Sequence, residues 1–132
     1  MDNQFEPKTA SRYIVKFPER FNISEYVIKE VSNIQCIIGQ HGEIEWQDIR
    51  FDLYDPICPS TSQAMHYLLD HNDNNKPMKV VIDILDPIGE IIEKKEIIGY
   101  IQMIDFGALN YSINEPRIIS IYLNVESVKL DF

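Results

Sequence analysis

FDLYDPICPSTSQA, residues 51–64, is the stretch that decides the fold class of this chain. Apolar residues at 49, 51 and 53 alternate with charged residues at 48, 50 and 52, which predicts a half-buried strand over 47–54. Asp55 and Pro56 then form a turn. Ser60, with Gln63 three residues later, completes a Ser-x-x-Gln capping box and predicts a helix over about 60–70. The stretch therefore predicts a strand, a turn and a capped helix.

A second Asp-Pro-Ile follows 31 residues later, at Asp86 and Pro87, and it is closed by Gly89. Asp at the first position, Pro at the second and Gly at the fourth predict a type I β-turn. The turn joins a predicted strand over 79–85 to a long segment over 90–106. A helix is an alternative for this segment, but a four-residue turn after a strand favours a long strand. Gly99 would mark a bulge or bend in it.

Shorter patterns predict further strands over 12–17, 34–38 and 118–125, and a strand or short helix over 26–32. The predicted helix carries an apolar stripe of Ala64, Met65, Leu68 and Leu69. We therefore predict a mainly β fold, a small antiparallel β-sandwich or barrel of six or seven strands with one short helix. The domain is expected over 12–132, after a flexible N-terminal arm over 1–11.

The composition limits the function. The chain has 132 residues and a net charge of −9, with no basic stripe and no Gly-rich phosphate loop, which argues against ordinary nucleic-acid binding. The two cysteines are expected to be reduced thiols. No apolar run approaches the ~20 residues that span a bilayer. The N-terminus has no signal pattern, so we expect a soluble protein without a membrane partner.

Candidate chemical sites are weak. His66, Asp70 and His71 lack a third metal ligand at a recognisable spacing. The acids at 83, 86, 90, 93 and 96 lack the spacing of a calcium loop. No Gly-x-Ser-x-Gly turn surrounds the serines at 60 and 62. We therefore predict no enzymatic activity, no metal and no cofactor.

Several segments in order resemble a known family. They are RYIVKFP (12–18), EWQDI (45–49) leading into FDLYDPI (51–57), PSTSQ (59–63), ILDPIG (84–89), IDFG (104–107) with LNY (109–111), and a closing β-strand. Together they resemble the tail tube protein of contractile-tailed bacteriophages, which is related to the tubes of type VI secretion and contractile injection systems. The resemblance covers residues 12–132.

The resemblance implies a structural subunit of six-membered rings that stack into a hollow tube, or a specialised initiator or terminator ring, since the chain is short. It implies partners among its own copies and among sheath, baseplate and tail-terminator proteins. Genomic DNA and a tape-measure protein would pass through the lumen without specific binding. The location would be the tail of a virion assembled in the host cytoplasm. The alternative is a monomeric small β-barrel that binds a ligand.

The long hairpin, 79–85 with 90–106, is the predicted contact between subunits. Its apolar residues are too many for one buried face, so some of them should be covered by another part of the fold or by another chain. The predicted intersubunit residues are Ile91, Ile92, Ile97, Ile98 and Tyr100. Glu93 and Glu96 are predicted to line the lumen. The residues with predicted structural roles in turns and the cap are Asp55, Pro56, Ser60, Gln63, Asp86, Pro87 and Gly89.

Overall fold

The structure is a computed structural model that describes residues 7–58, 60–70, 76–112 and 114–131. Their strands are β1 (Tyr13–Lys16), β2 (Ile28–Val31), β3 (Cys36–Ile38), β4 (Ile44–Trp46), β5 (Ile49–Tyr54), β6 (Met78–Leu85), β7 (Ile91–Asp105) and β8 (Ile118–Leu130). One α-helix, α1, spans Thr61–Asp70, and two 3₁₀ turns lie at Glu19–Phe21 and Glu25–Val27. The prediction of a mainly β fold with one short helix is confirmed.

Six strands form one antiparallel sheet in the order β1-β6-β7-β8-β5-β2, while β3 and β4 form a separate hairpin. The large sheet curls into a nearly closed barrel. Its interior is filled by alternate residues of the strands, such as Val80, Ile97 and Leu123, all fully buried. Phe17 and Phe51 meet there edge to face, with ring centroids 5.4 Å apart. Closing the sheet protects strand edges that would otherwise pair with other chains.

Several predicted bounds differ from the structure, and the last strand, predicted over 118–125, runs to Leu130 as β8. The segment 26–32 combines both alternatives, because the 3₁₀ turn ends at Val27 and β2 begins at Ile28. The strand β4 was not predicted, so the described residues contain eight strands rather than six or seven. At three residues, β4 is too short for an alternating pattern to identify it.

The turn between β6 and β7 forms as predicted. The Gly89 N–H donates to the Asp86 carbonyl at 3.1 Å, and Asp86 Oδ1 accepts the N–H groups of Ile88 and Glu90. Gly89 has a φ of 92°, a conformation that favours glycine. A type I turn followed by such a residue gives the hairpin its register.

Gly99 marks a bulge, also as predicted, because the pairing register between β7 and β8 shifts between Ile98 and Gly99. A Cβ at this position would lie 2.4 Å from the Asn124 carbonyl oxygen. The close approach of the two backbones therefore requires glycine here.

β7 and β8 are the longest strands of the sheet. β7 extends beyond its neighbour β6, and β8 extends beyond its neighbour β5. β6 pairs with β7 only as far as Gly99, and β5 pairs with β8 only from Ile118 to Leu123. Residues 100–105 of β7 therefore have β8 on one side only. β8 continues its pairing with β7 as far as Leu130, and β4 lies close to β8 without a ladder between them.

Candidate assembly surfaces

His66, a candidate for chemistry in the sequence, lies against an aromatic ring. His66 stacks on Phe106 with ring centroids 4.4 Å apart. The described residues contain no group of three or more His, Cys, Asp and Glu side chains placed to hold a metal ion. His71 lies outside the described residues. In the described part of the chain, no helix is long and apolar enough to cross a membrane.

The start of α1 is tied to two loops. Ser60 Oγ accepts the N–H of Gln63 at 3.2 Å, which confirms its predicted capping role. Asp55 Oδ1 accepts the Ser62 N–H at 3.0 Å and the Ser60 hydroxyl at 3.2 Å. Asp55, rather than the Gln63 side chain, therefore supplies the second acceptor in the first turn of the helix.

Arg117 joins this cap to the loop between β7 and β8. Its Nη2 donates to Ser62 Oγ at 3.0 Å, and its Nε lies 3.7 Å from Asp55 Oδ2. The chain segments that hold Asp55, Ser62 and Arg117 are therefore fixed side by side at one end of the barrel.

This loop end exposes large apolar side chains. Ile57, Leu109 and Tyr111 lie on the two joined loops, and Ile57 and Tyr111 are almost entirely exposed. We call these three exposed residues the loop end.

The opposite end carries a second apolar surface, formed by the hairpin β3–β4. Ile37, Ile38 and Ile44 are all more than half exposed, and Ile38 is exposed to 70%. The hairpin precedes β5, whose first residue Ile49 pairs with Leu123 far from the loop end. These three isoleucines, which we call the hairpin end, were not predicted as site residues. The apolar run Cys36–Ile38 before a Gly-containing turn was a signal in the sequence that could have identified them.

The predicted intersubunit residues lie in three environments. Ile91 and Ile92 are exposed to 38% and 39% at the start of β7. Ile98 and Tyr100 are half-buried on the face of the sheet that points away from the core. Ile97 is fully buried in the subunit's own core, opposite Val80. Its prediction as an intersubunit residue is therefore replaced by a core role, while the other four remain predictions.

The two predicted lumen residues point to opposite faces of β7. Glu93 and Glu96 are three residues apart in continuous pairing with β6, and successive side chains alternate between faces. Glu93 contacts Lys8 Nζ at 2.8 Å, and this hydrogen bond holds its pKa below the ordinary value. Glu96 contacts Lys79 Nζ at 3.0 Å. Because the two side chains lie on opposite faces, at most one of these carboxylates can line a lumen on a given face. Each carboxylate also has a lysine partner that compensates its charge.

Comparison with known proteins gives the fold. No protein-family model matches the chain, and no curated protein matches it. Among solved structures, a chain from the cryo-EM structure of the sheath/tube terminator of an extracellular contractile injection system, PVC, matches with a TM-score of 0.68, 12% identity, and coverage of 98% of this chain and 99% of that chain. A chain from the PVC sheath-tube complex in the extended state matches with a TM-score of 0.67, 13% identity and coverage of 97% and 93%.

A chain from the tube-terminating cap of the anti-feeding prophage (AFP) matches with a TM-score of 0.67, 15% identity and coverage of 99% and 94%. The matches span almost the full length of this chain and of those chains. The resemblance to tail tubes and their injection-system relatives is thus confirmed at the level of the fold: this chain has the fold of proteins found in the tube, terminator and cap structures of contractile injection systems.

Proposed function

We propose that this chain is a structural subunit of the hollow tube of a contractile, tail-like injection machine, and that it assembles into six-membered rings that stack. The observation that carries the proposal is the full-length fold match to chains from a sheath-tube complex and from a sheath/tube terminator. The resemblance of the sequence to tail tube proteins, drawn from different observations, supports the same function.

The distribution of exposed apolar residues supports stacking. The loop end and the hairpin end lie at opposite ends of the barrel, and each exposes three large apolar side chains. A surface at one end that meets a different surface at the other end generates a repeating, heterologous contact. Rings stacked in one direction would therefore bury Ile57, Leu109 and Tyr111 against Ile37, Ile38 and Ile44 of the next ring.

The proposed partners and location follow from this role. The chain would contact its own copies within and between rings, and sheath, baseplate and terminator proteins at the outside and ends of the tube. It would act within a particle assembled in the cytoplasm of the producing cell. In a phage tail, DNA and a tape-measure protein would cross the lumen without specific contacts, as the net charge of −9 favours.

A monomeric ligand-binding barrel is the competing function, and the filled interior of the barrel argues against it. The side chains that point inward from β5, β6 and β8 form one continuous buried core. A barrel that holds a ligand needs an interior cavity instead. For the same reason we propose a structural protein rather than an enzyme.

Negative-stain electron microscopy and analytical ultracentrifugation of the purified chain test the proposal. We expect six-membered rings at high micromolar concentration; long tubes identify the main tube subunit, and single rings identify an initiator or terminator. Assembly can depend on an initiator, so the experiment is repeated with the co-expressed sheath and baseplate proteins. A chain that remains a monomer under both conditions would contradict the proposal.

Two variants test the stacking surfaces. Ile57→Asp at the loop end and Ile38→Asp at the hairpin end are expected to leave rings intact and to prevent tubes, because each places a charge in the contact between rings. Lys29→Asp, at an exposed position on β2 outside both ends, is the charge-changing control and should still stack. Tubes of normal length from both end variants would show that stacking uses other surfaces.

A further inference from the structure

We propose that the two cysteines of this chain, Cys36 and Cys58, form disulfide bonds between subunits of successive rings once the assembled tube meets an oxidant. The inference rests on the proposed function, because it requires the loop end of one ring to meet the hairpin end of the next. It adds a covalent link that runs along the tube, in the stacking direction.

The two cysteines lie at opposite ends of the barrel. They are the two cysteines of the whole chain, and both are free and exposed. Cys36 is the first residue of β3, directly before Ile37 of the hairpin end. Cys58 directly follows Ile57 of the loop end. Each of the two apolar surfaces that stacking would bury therefore has one thiol beside it.

Distance excludes a bond between the two cysteines of one subunit. The six residues of β5 run from the hairpin end toward the loop end and span roughly 17 Å. A disulfide requires Cα atoms within about 7 Å of each other. The two thiols of one subunit therefore stay apart, and each needs a partner on another copy.

The hairpin β3–β4 presents Cys36 on the same face as two exposed isoleucines. Ile38 lies opposite Ile44 in the ladder, and Cys36 is two residues before Ile38 on the same strand. Alternate residues of a strand point to the same face. A contact that covers Ile38 and Ile44 therefore also places Cys36 beside the neighbouring ring.

Cys58 lines a groove at the loop end. The groove has a volume of about 510 Å³, and Ile57 and Arg20 also line it. Arg20 is the charged residue among those that line the groove, whereas the hairpin β3–β4 carries Glu43 and Glu45. The exposed isoleucines and the opposite charge of the hairpin match this groove. The occupant is therefore the hairpin of a second copy of this chain.

The bond forms by exchange with a low-molecular-weight disulfide such as oxidised glutathione. One cysteine thiolate attacks this disulfide and releases one reduced glutathione. The partner thiolate then attacks the protein sulfur of the mixed disulfide and releases the second. In total the two cysteines lose two protons and two electrons, which convert one oxidised glutathione into two reduced molecules. Because the cytoplasm keeps thiols reduced, the links form after the tube has left it.

Oxidation of assembled tubes tests the proposal. Tubes are incubated with oxidised glutathione, the remaining thiols are alkylated, and the subunits are separated on a non-reducing denaturing gel. Because each subunit offers one thiol at each end, the links join a column of subunits along the tube. We expect a ladder that passes six subunits, which links around a single ring could not produce. Mass spectrometry should find tryptic peptides 30–50 and 51–79 joined by a reducible bond.

Matched variants control the assignment of the two thiols. Cys36→Ser and Cys58→Ser each keep one thiol, so their tubes should form but give only monomers on the gel. Lys29→Cys in the Cys36→Ser background restores two thiols per subunit, but position 29 lies outside both ends, so the ladder should not return. Ile38→Asp, which should block stacking, should prevent cross-links in a chain that keeps both cysteines.

The outcomes separate this inference from the proposed function. Tubes that give only monomers after oxidation, or links that persist in either single-cysteine variant, would overturn the inference and leave the proposed function intact. Rings that never stack would do the same, since no second ring then supplies the partner thiol. A chain that forms no rings, alone or with its partners, would overturn both.

Discussion

Lys16 on β1 forms an ion pair with Asp83 on β6, with Nζ 3.1 Å from Oδ2, although the Asp83 side chain is completely buried. Neither oxygen of this carboxylate receives a well-oriented hydrogen bond from the described residues. The lysine, whose side chain is half exposed, is therefore the main compensation for a buried negative charge. It also joins the edge strand β1 to the rest of the sheet.

We expect Lys16→Met to lower the free energy of unfolding by about 1–3 kcal/mol, because it leaves the buried Asp83 without its charged partner. Urea unfolding followed by circular dichroism measures the change. Asp83→Asn in the same background should recover much of the loss, since the buried charge is then removed. An unchanged stability for Lys16→Met would mean that another group compensates the carboxylate.

Removing Ser60 and removing Asp55 from the cap of α1 should destabilise the fold by different amounts. Ser60→Ala removes one acceptor from the first turn of α1 and should cost about 1 kcal/mol. Asp55→Ala should cost more, about 2 kcal/mol, because Asp55 accepts the Ser62 N–H and also pairs with Arg117. Thermal unfolding measures both, with the exposed Ser11→Ala as control. Equal losses for the two variants would contradict the role assigned to Asp55.

Two adjacent leucines on α1 provide a matched pair. Leu68 is 1% exposed and packs in the core, whereas Leu69 is 39% exposed. Leu68→Ala should therefore lower the free energy of unfolding by about 2–5 kcal/mol, and Leu69→Ala by less than about 1 kcal/mol. Chemical denaturation compares them directly. Similar effects would show that α1 is oriented differently on the barrel.

Two isoleucines on β7 separate folding from assembly. Ile97→Asp places a charge in the core and should cost more than about 4 kcal/mol, so the variant is expected to unfold. Ile92→Asp changes a partly exposed residue and should remain folded. If the start of β7 contacts a neighbour, Ile92→Asp should also fail to form rings by size-exclusion chromatography and microscopy. Normal rings from a folded Ile92→Asp would remove Ile92 from the interface.

The ion pair of Glu93 with Lys8 predicts a pH dependence. The pKa of Glu93 is lowered mainly by the hydrogen bond from Lys8, so its stabilising effect is present above the ordinary value of 4.5 and is lost as the pH falls through the lowered pKa. Glu93→Gln should therefore lose stability at pH 7, by no more than about 1 kcal/mol for a surface pair. The difference from the original chain should shrink below pH 4.5. A difference that is constant with pH would contradict this ion pair.

The sequence by itself determined the local elements whose signals are short-range. The alternation over 47–54 predicted β5, the Ser60 cap predicted α1, and Asp86, Pro87 and Gly89 predicted the hairpin turn. The predictions of the turn and the cap hold because each depends on hydrogen bonds within a few residues. The order of such elements also carried the resemblance to tail tube proteins.

Only the tertiary structure decided which residues of β7 face the core and which point away from it. The run of isoleucines looked like a surplus for one face, but Ile97 belongs to the core, and a second irregularity, between Ile101 and Met103, shifts the alternation along β7. The ladder between β6 and β7 ends at Met78, next to Pro77, and the ladder between β5 and β8 begins only at Ile49. Strand pairing joins residues far apart in the chain, so its limits appear only when the whole sheet is assembled.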